Sequence, residues 1–445
     1  MKSFFKSIYL GNRIYFVLTA IAVLFLVSHF FPVVYPFAQY ALLVASALFI
    51  IDFLMLYTSS RKQIFAKRIV PERLSNGDIN QIEISITNNY TFPVNIKVID
   101  EIPFQFQKRD FEIEARLNSV EIKNILYNLR PVERGEYSFG KLNIYAGTII
   151  NFISKRFVFD AGVILAVYPS FIQMRKYELL AISNNLVNQG IKKIRRVSNN
   201  SEFETIKDYI GGDDFRTVNW KATSRRSKLM VNQYQDEKSQ QVFSVIDMGR
   251  TMRMPFREMS LLDYAINASL VISNIAIKKH DKAGLITFSK RIHTNVPASN
   301  KVTHVNSLMN ALYNQATDFL ESDHEQLFIN VKQKVHQRSL LLYFTNFEGL
   351  PSLERQLPYF KMLTKNHLLV VIFFENTELM NITNVNPAGI EEIYIKTVAE
   401  KLSYEKRLIV KELKKNAIHA VLTAPEHLTI NTINKYLELK ARGLI

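Results

Sequence analysis

The chain has no cysteine. That excludes a disulfide scaffold, a Cys-ligated zinc or iron–sulfur site and any thiol nucleophile. The common catalytic and nucleotide-binding patterns are missing too: there is no Gly-rich phosphate loop ending in Lys-Ser or Lys-Thr, no dinucleotide fingerprint, no paired-His zinc motif and no nucleophile elbow. The nine histidines are scattered without ligand spacing, so each, His280 and His419 included, reads as a surface or satisfied core residue. Negative charge is also scarce, with 40 Asp and Glu against 56 Lys and Arg, a net charge of +16 at pH 7. Such an excess suits nucleic acid, acidic partners or an anionic membrane surface, and by itself does not choose among them.

Apolar residues are plentiful, at 48% of the chain, with 12% aromatic. Real cores are therefore affordable and wholesale disorder is excluded. At roughly 150 residues per domain, the 445 residues correspond to about three structural units. Residues 1–60 read as a transmembrane hairpin. Ile14 to Phe31 is interrupted only by Thr19, Ser28 and His29, and a second apolar run, about Val33 to Tyr57, carries one formal charge, Asp52. Pro32 and Pro36 mark a tight connection, and no signal-peptide cleavage pattern fits two consecutive long runs. Lys2, Lys6 and Arg13 precede the first span, and Arg61, Lys62, Lys67 and Arg68 follow the second. The positive-inside rule then places both ends in the cytoplasm, each juxtamembrane cation adding about 1 kcal/mol of attraction to anionic lipid. Asp52 is expected near the cytoplasmic end, facing the partner helix or water rather than serving a relay.

Residues 61–170 alternate with period two, as in Ile82-Glu83-Ile84-Ser85-Ile86 and Val94-Asn95-Ile96-Lys97-Val98, between turn signals at residues 75–78, 88–89 and 134–136. An antiparallel, immunoglobulin-like β-sandwich is the expectation. Residues 171–238 follow as a linker, with the basic group Lys192, Lys193, Arg195 and Arg196 read as a solvated charged face, and no nucleic-acid partner is expected. From residue 239 to 445, unalternating apolar strands (Gln241–Ile246, Gly284–Phe288, Ser339–Phe344, Leu368–Phe374, Ala420–Leu422) alternate with helical spacing. This implies a mainly parallel, doubly wound sheet, whose ligands sit beyond the carboxyl ends of its strands. There lies Asp247-Met248-Gly249-Arg250-Thr251, a carboxylate and hydroxyl of the kind that holds Mg²⁺. Asp247, Thr251 and Asn346 are the candidate ligands, but Gly249 lacks a hydroxyl, Asn346 is neutral, and Arg250 brings a fixed positive charge. An ion-free packed loop, without a cofactor, is the expectation.

Residues 239–445 resemble a von Willebrand factor A-type domain with a degenerate metal-dependent adhesion site. Immediately before it, residues 204–225 read ETIKDYIGGDDFRTVNWKATSR. Tyr209, Gly212, Asp213, Asp214, Arg216, Val218, Trp220, Lys221, Ala222 and Arg225 stand at the places of the signature of the bacterial family catalogued as domain of unknown function 58, which the chain resembles along its length. The resemblance implies a membrane protein of the bacterial inner membrane with cytoplasmic soluble domains. It also implies a MoxR-type AAA+ ATPase and other von Willebrand A proteins as partners, and an adaptor role without enzymatic activity. On the residues themselves, Gly211-Gly212-Asp213 is a turn, Asp213 or Asp214 is expected to pair with Arg216 or Arg225, and Trp220 is expected to bury its ring and pin the loop. Tyr209, Gly212, Asp213, Asp214, Arg216, Trp220, Lys221 and Arg225 then make a signature surface for a partner. A hydrolase or transferase site at the Gly-Asp-Asp loop is the alternative, disfavoured because adjacent carboxylates on a turn rarely converge on one substrate.

Overall fold

The computed structural model describes residues 7–58, 63–182, 201–211, 213, 215–236, 239–317, 319–377, 379 and 389–445. The chain forms two compact units, Met1–Val167 and Tyr168–Ile445.

In the first unit, strand β1 (Ile8–Leu10) leads into helix α1 (Asn12–Phe30), a short turn at Pro32–Val34 and helix α2 (Tyr35–Tyr57). Only 6% and 11% of the most apolar stretches of these helices are buried against protein. Helices that apolar, exposed on nearly every side, need lipid around them, and the protein is membrane-associated. A third helix long and apolar enough to cross a bilayer, Leu261–Lys278, is 89% buried in the second unit and is a core helix.

Ten strands follow: β2 (Ile64–Ile69), β3 (Arg73–Ser75), β4 (Asn80–Asn88), β5 (Val94–Asp100), β6 (Glu112–Leu117), β7 (Ile122–Leu129), β8 (Gly135–Phe139), β9 (Leu142–Gly147), β10 (Ile153–Phe159) and β11 (Val163–Tyr168). They make antiparallel sheets in the orders β1-β10-β9-β5-β6, β2-β4-β7 and β3-β11-β8. In β4 and β5 every second side chain is buried, as period-two sequences require. Ile82, Ile84, Val98, Leu142 and Ile144 are among the residues of the shared core.

Two charges behave differently from expectation. Arg68 is not a juxtamembrane cation. It is buried with Asp100 in an ion pair, donates to the carbonyls of Ala161 (2.8 Å) and Gly140 (3.1 Å), and Asp100 also accepts from Tyr127 Oη at 2.5 Å. Asp52 faces neither the partner helix nor water. Its fully buried carboxylate accepts from the Thr148 hydroxyl and from the amides of Phe152 (2.8 Å) and Ile153 (2.9 Å), at the turn joining β9 to β10. The same turn receives Gly11 N (to Phe152 O, 2.8 Å) and Arg13 (to Ile149 O, 2.8 Å) from the start of α1. Both apolar helices are thus bolted to one β-hairpin.

In the second unit, helix α3 (Phe171–Ile182) packs on α5 (Leu261–Lys278), with Glu178 bound to Lys278 (2.9 Å) and Asn274 (3.1 Å). Lys192, Lys193, Arg195 and Arg196 lie outside the described residues. Strands β12 (Ser201–Asp208) and β13 (Met230–Asp236) form an antiparallel ribbon that encloses helix α4 (Trp220–Arg226). Beyond β14 (Gln241–Asp247), a two-residue hairpin, β15 (Pro255–Phe256) and β16 (Met259–Ser260), precedes α5. The main sheet then takes β17 (Lys282–Phe288), β18 (Ile292–Ser299), β19 (Ser339–Phe344), β20 (Leu368–Phe374) and β21 (His419–Thr423) in the order β18-β17-β14-β19-β20-β21. All pairs are parallel except β17–β18. The half-buried edge strand β18 has no apolar run to announce it, and Pro297 is tolerated there because an edge needs fewer ladder bonds.

Side chains along β14 and β19 alternate between two cores. Val242, Ile246, Leu340 and Leu342 pack with α5, α6 (His304–Tyr313) and α10 (Leu428–Ala441). Phe243, Val245, Leu341 and Tyr343 pack with α7 (His324–Lys334), α8 (Leu350–Thr364) and α9 (Ile390–Lys415). Burial on both faces explains why these strands do not alternate in sequence.

Candidate functional site

The carboxyl ends of β14 and β19 bring Asp247 and the Thr345-Asn346 pair together. Asp247 is buried, and both of its oxygens are in use. Oδ1 accepts from Gly249 N (2.8 Å) and the Ser322 hydroxyl, and Oδ2 from the Thr345 hydroxyl (2.7 Å). Ser322 explains the glycine at 249: a Cβ there would lie 2.2 Å from Ser322 Oγ and 3.1 Å from Asp247 Oδ1. A hydroxyl is therefore delivered to Asp247 from the loop before α7, and no room is left for one from residue 249. Asn346 donates to the backbone carbonyl of Thr251 (3.4 Å), while its own Oδ1 accepts from Lys406 Nζ at 2.7 Å. A hard cation needs free oxygen ligands. With Asp247 satisfied by donors and an ammonium on Asn346, Asp247, Thr251 and Asn346 as arranged do not fit Mg²⁺. Among the described residues no group of three His, Asp or Glu side chains is placed to hold a metal.

Above Asp247 opens a cleft of about 510 Å³ whose walls include Arg250, Lys290, Glu321, Glu325, Glu348 and Arg355. Arg250 spans its mouth, 3.0 Å from Glu348 and 3.5 Å from Glu321, and is half exposed. His324 lies beneath, its Nδ1 2.7 Å from Tyr343 Oη, and burial holds the imidazole below its ordinary pKa against the opposing pull of Asp247 and Asp323. Lys406, on α9, is not among the lining residues; it donates to Phe347 O at 2.5 Å as well as to Asn346, and burial lowers its pKa from 10.5 to about 8.

The signature segment forms the outer end of the β12–β13 ribbon. Tyr209 N bonds to Leu229 O (2.9 Å), and Asn219 both caps α4, accepting from Ala222 N (3.0 Å), and bonds through its amide to Met230 O (2.8 Å). Asp213 closes the turn: its amide donates to Ile210 O (3.0 Å), while its carboxylate accepts from Ile210 N (3.1 Å) and pairs with Lys207 (3.0 Å). The Ile210 amide, then Lys207, hold the Asp213 carboxyl below the usual range. The partner of Asp213 is thus Lys207 rather than Arg216 or Arg225. Gly212 and Asp214 lie outside the described residues. Gly211 is not in the left-handed region, and a Cβ there would meet nothing within 4 Å. Trp220 departs most from expectation. It is 65% exposed, and its ring meets that of Phe215, itself 59% exposed, in a T-shaped contact, as Phe215 in turn meets Tyr209. The ribbon is held by Val218, Met230 and Val231, which are buried, and the tryptophan is left outside. Lys221 and Arg225 are exposed beside it, and Asp213 is not among the residues lining the Asp247 cleft.

Residues 205–385 match the family model described as protein of unknown function DUF58. The DUF58 match runs through β20 and so takes in both the ribbon and the Asp247 cleft. The uncharacterised protein YeaD of Bacillus subtilis (strain 168) is 26% identical over 224 residues, which cover 49% of this chain and 54% of YeaD. The chain spans about half the length of this curated relative. Among solved structures, the conserved hypothetical protein BatB of Bacteroides thetaiotaomicron (12% identity, 46% of this chain, 98% of that one) superposes with a TM-score of 0.32. An aerotolerance-related membrane protein of Bacteroides fragilis NCTC 9343 (13%, 46% and 98%) gives 0.29.

Ser322, His324 and Lys406 were not singled out by sequence reasoning. Lys406 left a trace: Ala399, Leu402, Ile409 and Leu413 recur at helical spacing in α9, and Lys406 falls in that register. A cation on a core-facing stripe needs a buried acceptor. Ser322, in a loop with no periodicity, left none.

Proposed function

We propose that this is a non-enzymatic, membrane-anchored adaptor whose second unit is an ion-free von Willebrand factor A-like domain, and that it works with a MoxR-type AAA+ ATPase in assembling or activating envelope protein complexes. The observation that carries this is the state of Asp247. Its oxygens are consumed by Gly249, Ser322 and Thr345 at the floor of an open, charged cleft, which suits recognition of a partner's polar surface better than turnover. The position of Asp213, paired with Lys207 outside that cleft, supports the same reading against a hydrolase. The cations around the hairpin favour a cytoplasmic orientation in the bacterial inner membrane.

Capture of the full-length protein from solubilised membranes tests the proposal. The expected result is recovery of an AAA+ ATPase, unchanged by Thr251→Ala because no ion depends on that hydroxyl, and reduced by Arg250→Glu at the cleft mouth. Repeated absence of the ATPase, together with a measurable turnover lost on Asp213→Ala, overturns it.

A further inference from the structure

The outer end of the β12–β13 ribbon exposes more apolar surface than a free loop should. Ile210 (65%), Phe215 (59%), Trp220 (65%) and Leu229 (40%) are all open, although Val218, Met230 and Val231 show that the ribbon buries apolar side chains where it can. On the carboxyl side of Phe215 the charge has one sign. Between Phe215 and Gln235 the sequence has Arg216, Lys221, Arg225, Arg226 and Lys228 and no Asp or Glu. Lys221, Arg225, Arg226 and Lys228 are exposed. Of the described acids nearby, Asp213 is engaged with Lys207 and Asp208 sits exposed at the end of β12.

We propose that this tip is a peripheral membrane-binding element: Trp220 and Phe215, with Ile210 and Leu229, seat in the headgroup region of an anionic bilayer while the α4 cations contact lipid phosphates and carboxylates. Tryptophan is favoured at that depth because its ring is apolar and its N–H stays wet, and basic residues beside it draw on the negative surface potential of anionic lipids. Two observations select lipid over other polyanions. A bilayer always accompanies this chain, since α1 and α2 require one. Phe215 also meets both Tyr209 and Trp220 edge-to-face, at interplanar angles of 76° and 66°, so the rings form a wedge rather than the row of parallel platforms on which nucleic-acid bases stack. The inference goes beyond the adaptor reading and does not depend on it.

Trp220 is the only tryptophan, so selectively excited tryptophan fluorescence of the full chain reports on this tip alone. In nanodiscs of phosphatidylcholine mixed with phosphatidylserine, its emission should shift to shorter wavelength and be quenched by lipids brominated near the headgroup. In phosphatidylcholine alone, or at high salt, it should remain accessible to acrylamide. Replacing Arg225 and Arg226 together by Glu removes two cations, each contributing about fivefold, and lowers the bound-to-free ratio of the tip by at least about 25-fold. Both positions are exposed, so the fold is not at risk. Trp220 that stays open to acrylamide and unaffected by brominated lipid in anionic discs overturns the proposal. So does an emission shift that appears only with an added protein partner or single-stranded nucleic acid.

Discussion

Asp52 and Asp247 are buried carboxylates with matching hydrogen-bond sets in the two units. Each sits where sequence suggests ionic chemistry, one in a membrane helix and one at the carboxyl end of a central strand. Each has one oxygen facing a single threonine hydroxyl, Thr148 or Thr345, while the other accepts two hydrogen bonds, including a backbone amide. The difference lies in what surrounds them. Asp52 is sealed between α2 and the β9–β10 turn with no exposure, whereas Asp247 floors an open cleft. The first carboxylate is therefore a structural bolt. The second keeps a loop in shape at a surface that a partner can reach.

The largest expected effect separates the two by their access to water. Asp52→Ala strands three buried donors at roughly 1–3 kcal/mol each. Allowing for relaxation, the β9–β10 turn should lose about 4 kcal/mol, read as about 10³-fold faster hydrogen exchange at Phe152 and Ile153. Asp247→Ala should cost about half as much, because water from the cleft replaces the lost acceptor. Equal losses at the two sites would break the comparison.

Lys406 gives the Asp247 side a pH dependence of its own. Its amine is lowered from 10.5 to about 8, chiefly by burial. Below pH 8 both folded and unfolded chains hold the proton, so the burial penalty is constant. Between about 8 and 10.5 only the unfolded chain still holds it, and stability must rise with pH, by up to about 3 kcal/mol in all. Lys406→Met should remove that rise from urea-unfolding midpoints followed across this range. A variant that keeps the full slope would show that another group titrates.

Gly249 comes next. Gly249→Ala pushes a Cβ into Ser322 Oγ and should cost about 2 kcal/mol. Adding Ser322→Gly should recover most of it, and Gly249→Ser with Ser322→Gly should do best, because the hydroxyl then reaches Asp247 from the other loop. Non-additivity in this cycle measures how far the loop before α7 has taken over a role that would otherwise fall to residue 249.

What sequence reveals of this molecule follows from where the physics is local. The period-two strands β4 and β5, the unalternating strands β14, β19 and β20, and the two apolar helices declare themselves because burial imprints a repeat on the chain. Arg68, Asp52 and Lys406 do not. Each looks like an ordinary charge of its segment and finds its partner far away in sequence, at Asp100, Thr148 and Asn346. The position of Asp247 at a strand's end was legible, but its loss of free oxygens was not, because Ser322 arrives from a loop 75 residues downstream. Trp220 misleads in the other direction: a lone tryptophan in an ordered signature reads as an anchor, yet the ribbon's small core is complete without it.

The smallest effect tests the shared geometry itself. Asparagine can replace either carboxylate and keep the two hydrogen bonds accepted by one oxygen. Its oxygen takes the two hydrogen bonds on one side, and its NH₂ donates to Thr148 Oγ1 or Thr345 Oγ1, whose hydroxyl then turns. The loss is the extra strength of a charge-assisted bond plus the redirected hydroxyl and the second amide N–H, so Asp52→Asn and Asp247→Asn should each cost about 1.5 kcal/mol, measured by the same hydrogen-exchange experiment at Ile153 and Gly249. A proton relay at residue 52 or a metal at residue 247 predicts something else: near-normal stability with function abolished. Partner capture by the Asp247→Asn protein at wild-type levels would therefore separate a carboxylate that shapes a loop from one that holds an ion.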